Sequence, residues 1–350
     1  MKLFFVFPIS GPNNGVKVIS NHIRNMLFEN SNISLVTVDT SQAKDFNNFG
    51  KFNFSKLQNF IRLLKKFLKI SKGDMVYLNL TPKGFAFYRD LIFLFVCRLR
   101  TKNITIHIHA NGLENNIKWY NAILFSKIKI IVINKKQKEK LNPYCNNIFM
   151  VPNSLPDYYM DKKFELSENQ TLSLIFISNL SKEKGVFRLK KICEFISNKN
   201  IICNINIYGG SLTENDSKLI NELDNIYPFL KAHGPVVEDI EKFKYLQKSD
   251  ALIFLSDEFY EVYPLVYIEA LMNGLTILTT NQVVSENLCD LGVAKVINED
   301  LSHFEAILNG FIDNPKGLTE LKSKSRDVYE KNYSFINFIN KIEEIITYEI

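Results

Sequence analysis

Two glutamates, Glu261 and Glu269, stand eight positions apart, with a short apolar run and one proline between them. Strand-like runs at 251–256 and 275–280 lie on either side. The pattern predicts a helix that begins near Pro264, and the first N–H groups of such a helix can bind phosphate oxygens. Glu269, inside the helix, and Glu261, in the loop, can accept hydrogen bonds from hydroxyls. The layout favours a phosphorylated, polyhydroxylated ligand such as a nucleotide sugar, and the alternative is two solvated acids beside a helix start.

Three turns that follow apolar runs also contain glycine. Lys184 and Gly185 lie in the second half of the chain, between a predicted strand that ends at Ile177 and a predicted helix. A lysine there can neutralise a diphosphate. Gly209 ends a later strand, and the 11–15 loop follows the first strand. Glycine lets a backbone approach a ligand closely. Each turn can equally be an ordinary strand–helix connection, and Lys184 a solvated lysine.

Two histidines, His107 and His109, end the apolar run 104–109. Strand alternation points both rings to one face. An imidazole at a strand end can hold a sugar hydroxyl or carry a proton. The alternatives are core histidines with satisfied hydrogen bonds, or a metal site, for which no third ligand is apparent. No D-x-D motif occurs, so the usual acidic anchor for a metal-bound diphosphate is absent from the sequence.

Strand-like runs alternate with amphipathic segments along the whole chain, which predicts parallel sheets with helices on both faces. A polar stretch from Pro152 to about Gln170 is the natural linker. Such domains bind ligands at the carboxyl ends of their strands. The predicted strands of the first half are 2–7, 33–38, 75–80, 104–109, 130–133 and 148–151, and its helices are 15–29, 55–70, 84–99, 117–126 and 135–142.

In the second half the same alternation runs from 172 to 349. The predicted strands are 172–177, 202–208, 229–233, 251–255, 275–279 and 293–297. The predicted helices are 185–197, 213–225, 238–247, 265–273, 284–289, 301–312, 318–331 and 335–349.

The totals describe an ordinary globular protein of two domains, with 350 residues, 46% hydrophobic and 23% charged. The five scattered cysteines predict reduced thiols in the cytoplasm. The apolar N-terminus is too short for a signal peptide, and no run approaches the length of a membrane span.

Charge divides the chain unevenly. Residues 1–166 carry 25 Lys and Arg against 10 Asp and Glu, whereas residues 167–350 carry 18 against 27. The basic half predicts a polyanionic neighbour, either nucleic acid, anionic lipid or a phosphorylated acceptor. No nucleic-acid recognition motif is present. The segment 57–70 is a basic amphipathic helix candidate, which suits either a membrane surface or an ordinary core-facing helix.

These landmarks resemble glycosyltransferase family 4, a group of retaining enzymes with the GT-B fold. The resemblance is most specific from Glu261 to Gly274, which match the family's E-x7-E and E-A-x-x-x-G signatures. Supporting matches are Gly15-Val16, Val151 to Ser154, Lys184-Gly185, His233 to Val236, Ser249 to Ser256 and a last helix within Tyr333 to Ile350.

The resemblance implies an α/β fold with two Rossmann-like doubly wound domains facing across a cleft. The acceptor domain would span 1–165, the donor domain 166–334, and the last helix, 335–350, would return to the first domain. Two departures stand out: Ser178-Asn179 replaces the family's Gly-Arg, and Asn14 replaces the first glycine of its glycine loop.

Residue roles follow from the same resemblance. Lys184 would neutralise the donor diphosphate and Glu261 would contact the transferred sugar. His109 would be the active-site histidine, with His107 as the second choice. Glu269 would bind the ribose, and His107 and Asn14 would lie on the acceptor side. The remaining donor-binding residues would be Gly15, Gly209, Val236, Tyr263, Pro264, Leu265 and Val266.

The sequence thus predicts a retaining glycosyltransferase that moves a sugar from a UDP- or GDP-sugar to a cell-surface polysaccharide, lipopolysaccharide or lipid-linked precursor. Neither a metal nor a cofactor is expected. Expected partners are the donor, a glycan or lipid-linked acceptor and an anionic membrane surface, with the protein cytoplasmic or peripheral on the inner face of the plasma membrane. The alternatives are a catalytically idle GT-B partner subunit and a nucleotide-sugar epimerase of the same fold.

Overall fold

The computed structural model describes residues 1–11, 14–30, 34–41, 54–159, 171–236, 239–257, 261–280 and 282–348. The chain divides into two compact units. Unit 1 comprises Met1–Pro156 and Phe335–Ile350, and unit 2 comprises Asp157–Ser334. The boundary between the units thus falls nine residues before the predicted one at 165/166.

Unit 1 is built on a parallel sheet in the order β2-β1-β3-β4-β5-β6. The chain winds from β1 to one side for β2 and to the other for β3, so the strand order reverses between β1 and β3. Doubly wound sheets bind ligands at such a reversal, outside the carboxyl ends of the strands. The strands are β1 (Lys2–Phe7), β2 (Ser34–Asp39), β3 (Met75–Asn79), β4 (Ile104–Ile108), β5 (Lys129–Val132) and β6 (Ile148–Met150).

The helices of unit 1 follow the predicted pattern with one exception. They are α1 (Gly15–Asn30), α2 (Phe54–Phe67), α3 (Gly84–Arg100), α4 (Lys135–Leu141) and, after unit 2, α12 (Phe335–Thr347).

The exception is the helix predicted at 117–126, which is wrong. Only a 3-10 helix, Ala122–Phe125, forms there. The Asn121 side chain accepts a hydrogen bond from the Lys118 N–H and donates one to the Asn116 carbonyl oxygen, at 2.7 and 2.9 Å. These bonds offer the backbone an alternative to a helical ladder. Phe125 is the sole buried side chain of the 3-10 helix, too little apolar surface to hold an α-helix.

A buried lysine fastens α12 to unit 1. The Lys129 ammonium, at the start of β5, donates to the carbonyl oxygens of Ile346 and Tyr348 at 2.7 and 2.6 Å. These carbonyls belong to the end of a helix, where backbone acceptors lack intrahelical partners and favour a cation. The apolar face of α12, which includes Phe338 and Ile342, is buried. The last helix therefore belongs to the first unit.

Unit 2 is built on a second parallel sheet in the order β12-β11-β10-β7-β8-β9. This is the order of a Rossmann fold, with its reversal between β7 and β10. The strands are β7 (Leu172–Ile177), β8 (Cys203–Tyr208), β9 (Leu230–Ala232), β10 (Ala251–Phe254), β11 (Thr276–Thr279) and β12 (Ala294–Val296). The helices are α5 (Val186–Lys199), α6 (Glu214–Ile226), α7 (Asp239–Gln247), α8 (Leu265–Met272), α9 (Gln282–Asp290), α10 (Phe304–Asp313) and α11 (Pro315–Asn332).

An arginine on α11 ties the start of unit 2 to its body. Arg326 pairs with Asp157 through two nitrogens and donates to the Met272 carbonyl oxygen at 3.0 Å. Its guanidinium also lies 4.7 Å from the ring centre of Tyr159. Bidentate pairs of this kind are stronger than single ion pairs. They account for a boundary at residue 157 rather than further along the polar stretch. Within the described residues, no helix combines the length and apolarity that crossing a bilayer requires.

Candidate active site

The loops after β7 and β10 join at the reversal of the unit 2 sheet. The Glu183 carbonyl oxygen accepts from the Asp257 N–H at 2.9 Å and from the Ser256 hydroxyl at 3.3 Å. Gly185, with φ +86°, caps α5, and a Cβ built there would lie 2.3 Å from the Leu255 carbonyl oxygen. A side chain larger than hydrogen would push the loops apart. Gly185 therefore allows the close approach that brings Lys184 to the end of β10.

Lys184 and Glu261 form an ion pair across this junction. Their side chains are 19% and 16% exposed, so each is partly withdrawn from water but remains open to a ligand. The pair joins the two groups that the sequence assigned to the diphosphate and to the sugar. A charge pair at a ligand-accessible edge can exchange partners when a polyanion arrives.

Helix α8 begins immediately after this pair. Pro264, at its N-cap with ψ 125°, is extended rather than helical, so the helix starts at Leu265. The N–H groups of the first turn, which include Leu265 and Val266, have no intrahelical acceptor. Together with the helix dipole they favour an anion at this end. The prediction of a helix start at Pro264 or Leu265 is confirmed.

Glu269 is the one charged residue of α8, and every residue from Tyr267 to Met272 is buried. A buried carboxylate needs a partner. Lys242, on α7, supplies it: its ammonium lies 2.7 Å from Glu269 Oε1, and the two side chains are 21% and 10% exposed. The sequence did not point to Lys242, because nothing in the pattern of α7 shows which of its lysines faces α8.

Another cation, Arg188, lies in the first turn of α5. Its Nη1 contacts the Leu255 carbonyl oxygen at 3.0 Å and Asp257 Oδ1 at 2.6 Å. It borders a cavity of about 220 Å³ at the carboxyl ends of β10, β11 and β12, whose lining includes Thr280 and Asn298. Arg188 thus places a guanidinium at the same edge as Lys184 and Asn179, the position where the resemblance noted above would have led us to expect an arginine.

The end of β8 has its own close approach. Gly209 has φ +149°, and a Cβ there would lie 1.7 Å from the Ser178 carbonyl oxygen. The Tyr208 ring stacks on the His233 ring at 4.5 Å and on the Tyr245 ring at 4.3 Å. Val236, partly exposed, follows His233 after β9. The stacked rings and the glycine therefore lie together beside the strand ends.

The two histidines of unit 1 lie ring against ring, with centres 3.9 Å apart, as strand alternation predicted. Both are buried, and the Tyr77 hydroxyl lies 2.6 Å from His107 Nδ1. Burial lowers the pKa of His107 well below its usual value, and neighbouring His109 lowers it further. Burial likewise lowers the pKa of His109 to about 4, an effect that the nearby Asn153 amide partly offsets. Both rings are therefore neutral at pH 7.

The glycine loop of unit 1 lies at the reversal of its sheet, after β1. Asn14 caps α1: its side-chain oxygen accepts from the Lys17 N–H at 3.0 Å. Gly15 is the first residue of the helix, and both residues are exposed. Pro12 and Asn13, which complete the predicted loop, lie outside the described residues. The predicted unit 1 residues thus gather at the carboxyl ends of β1 and β4.

The predicted unit 2 residues gather in the same way at the carboxyl ends of β7, β8, β9 and β10. Three contributors were missed: Lys242, Arg188 and Tyr245. Arg188 lies four residues after Lys184, in the first turn of the helix that follows it, and this closeness in sequence could have identified it. Tyr77 of β3, which contacts His107, lies among the buried residues of its strand. Nothing in the sequence around it indicated a role in the site.

Residues 160–328 match the family model described as Glycosyl transferases group 1. The match lies inside unit 2 and leaves out only the two ends of that unit. No curated protein matches the chain in sequence.

Solved glycosyltransferase structures resemble the chain at low sequence identity. HepE of Anabaena, solved with UDP and glucose, has a TM-score of 0.68 at 13% identity, with all of both chains covered. WaaG, a glycosyltransferase involved in lipopolysaccharide biosynthesis, scores 0.63 at 14% identity, again over the full length of both.

TarM of S. aureus, in a variant solved with fondaparinux, α-GlcNAc-glycerol and UDP, scores 0.61 at 17% identity over 84% of this chain. The present chain spans 59% of the TarM chain. At these identities the likeness concerns the fold. Residues 160–328 therefore resemble a group 1 glycosyltransferase domain, and the chain has the GT-B fold.

Proposed function

We propose that the protein is a retaining glycosyltransferase of family 4, which transfers a sugar from a UDP- or GDP-sugar to a cell-surface polysaccharide, lipopolysaccharide or lipid-linked glycan precursor. One observation carries the proposal. The Lys184–Glu261 pair stands beside the start of α8, at the reversal of a Rossmann-type sheet. All of these residues lie inside the group 1 domain.

The donor diphosphate would exchange partners with this pair. Lys184 would leave Glu261 for a phosphate oxygen, and the N–H groups of Leu265 and Val266 would bind the same anion. Glu261 would then be free to accept from hydroxyls of the sugar. Negative charge grows on the diphosphate as the glycosidic bond breaks, so cations held at this point stabilise the transition state more than the ground state.

The nucleoside would lie over the remaining unit 2 residues. Glu269, held by Lys242 through one oxygen, would accept from the ribose hydroxyls through the other. The base would lie near Gly209, Val236 and the stacked rings, since aromatic faces bind nucleobases. Because Lys184 and Arg188 supply positive charge, we also propose that the reaction needs no metal. Chelation with EDTA should then leave the rate unchanged, and a rate restored by Mg²⁺ would contradict this part.

On the acceptor side, His109 would act as a neutral hydrogen-bonding group toward a sugar hydroxyl. Because its pKa is low, His109 would be a weak base at pH 7. The proton of the acceptor hydroxyl would therefore pass to the leaving diphosphate. The ligands of TarM and HepE support a UDP-sugar donor. The role of WaaG supports a surface-glycan acceptor, and we propose that the protein is cytoplasmic or peripheral on the inner face of the plasma membrane.

A donor panel tests the proposal. Hydrolysis of UDP- and GDP-sugars without acceptor should show one favoured donor, and ¹H NMR of the released sugar at early times should show the donor's anomeric configuration. Glu261→Gln should abolish turnover in a folded protein. Inverted product would contradict retention. A folded protein that binds no nucleotide sugar would support the idle partner subunit instead.

A further inference from the structure

Helix α3 exposes one apolar stripe to solvent while burying the opposite side. Five large side chains repeat at alternating intervals of three and four residues, so they share one helix face. The inward face consists of buried core residues such as Phe87, Leu94 and Cys97. The exposed stripe consists of Phe85, Tyr88, Ile92, Phe95 and Leu99.

The neighbours of α3 extend this apolar face on both sides. Phe60 and Phe67 of α2 stack on Phe93 of α3, at 5.4 and 4.5 Å between ring centres. On the other side Arg98 donates to the carbonyl oxygen of Ser126, which follows the 3-10 helix. These contacts place α2, α3 and the 3-10 segment side by side. These neighbours and the residues next to them carry further exposed large apolar side chains, namely Ile61, Leu68, Trp119, Tyr120 and Ile123.

We call these ten exposed side chains the α3 face. Half of the 20 large apolar side chains that are exposed in the described residues belong to it. Trp119, the chain's single tryptophan, is 91% exposed, and Phe85 is 88% exposed. Scattered exposed apolar residues need no explanation, whereas a concentrated aromatic face marks an interaction surface.

The α3 face is centred on a different helix from the one that the sequence singled out. The basic segment 57–70 suited either a membrane surface or an ordinary core-facing helix, and Leu63, Phe67 and Ile70 are buried in the unit 1 core. The α2 helix is therefore the ordinary core-facing alternative. On its outward side the exposed Ile61 lies among charged residues, since Arg62 and three nearby lysines are also exposed.

The charge around the face is one-sided. Residues 54–128 contain 13 Lys and Arg but only 3 Asp and Glu. Each acid is already engaged: Asp74 with backbone N–H groups, Asp90 with Arg89, and Glu114 with Lys140. The part of the chain that carries the apolar face therefore has a net positive charge.

We infer that the α3 face docks on an anionic phospholipid bilayer, with its aromatic side chains at headgroup depth and the surrounding cations on lipid phosphates. Protein surfaces that lie in a membrane interface are rich in Trp, Tyr and Phe beside Lys and Arg. A second copy fits less well, because a two-fold contact would set one basic surround against another. The inference rests on the lipid-linked acceptor proposed above, but it is tested without donor or acceptor.

Vesicle flotation provides the test. The full chain is mixed with phosphatidylcholine vesicles containing 30 mol% phosphatidylglycerol, or none. We expect flotation with the anionic vesicles, reduced by high salt. The triple variant Phe85→Ser, Phe95→Ser, Trp119→Ser should bind at least about tenfold more weakly. The matched control is Ile202→Ser, Leu212→Ser, Ile226→Ser, which removes three exposed apolar side chains from unit 2 and should float like wild type.

The single tryptophan gives a second measurement that needs no variant. Trp119 emission should shift to the blue when anionic vesicles are added, because the indole leaves water. Wild-type protein that stays unbound with unshifted emission would overturn the inference. So would a triple variant that floats normally. A dimer in light scattering that the triple variant converts to monomer, without vesicle binding, would assign the face to a second copy.

Discussion

The two units use similar sheets to present opposite chemistry. At the strand ends of unit 2, charged side chains meet in pairs, Lys184 with Glu261 and Lys242 with Glu269. At those of unit 1, two imidazoles lie buried and neutral. The contrast matches the ligands proposed for each: a diphosphate demands charge, whereas a sugar hydroxyl demands a hydrogen bond without charge. Sheet topology places a site, and the side chains around the reversal decide what it can bind.

Removing a charge from the unit 2 edge should have the largest effect. Lys184→Ala should lower kcat/KM for the favoured donor by about 10³-fold or more, the scale of losing one transition-state charge stabiliser. The neighbouring Lys182→Ala, an exposed lysine of the same loop, should retain activity. Steady-state kinetics with a thermal melt check both. Full activity in a folded Lys184→Ala protein would remove Lys184 from the diphosphate.

Separating the loops without touching a charge tests whether their junction matters. Gly185→Ala puts a Cβ against the Leu255 carbonyl oxygen at a positive φ, and should destabilise unit 2 by about 2–3 kcal/mol. Gly310→Ala, inside α10 with nothing near its Cβ, should instead stabilise by up to about 1 kcal/mol. Urea unfolding measures both. Equal effects would show that the close approach is not needed.

The buried histidines predict a pH dependence for unit 1. The folded pKa of His109, about 4, lies below the unfolded value of about 6.5, so the unfolded chain binds more protons between these limits. Stability should be complete above pH 6.5 and fall as the pH drops toward 4, by about 3 kcal/mol for this group. His109→Gln should flatten the loss in urea titrations, and the exposed His303→Gln serves as control. An unchanged slope in His109→Gln would assign the loss to other groups.

The smallest effect concerns the second ion pair. Lys242→Met should raise KM for the donor about tenfold with little change in kcat, because Glu269 would lose the cation that orients it. Lys242→Arg should restore much of the loss. Lys244→Met, an exposed lysine of the same helix, should behave as wild type. A fall in kcat alone, with KM unchanged, would contradict a role in donor binding.

Local patterns were sufficient for most of the fold. Apolar runs located the twelve strands of the described residues to within one residue, since a buried parallel strand is a short apolar run between turns. Local patterns failed for the helix predicted at 117–126, where the Asn121 side chain competes with a helix for backbone hydrogen-bond partners. The α8 start was predictable because proline before an apolar run is a local signal.

The sequence by itself determined the order of the elements, the start of α8 and the glycine at 185, because each depends on neighbours a few residues away. The tertiary structure decided which charges meet. Lys242 and Glu269 are 27 positions apart, Lys184 and Glu261 are 77 apart, and Lys129 reaches 217 positions to α12. It also decided that α3 exposes a full apolar stripe, whereas α2 packs most of its apolar side against the core and leaves Ile61 exposed. Amphipathic spacing marks a helix face, but only packing shows whether another element covers it.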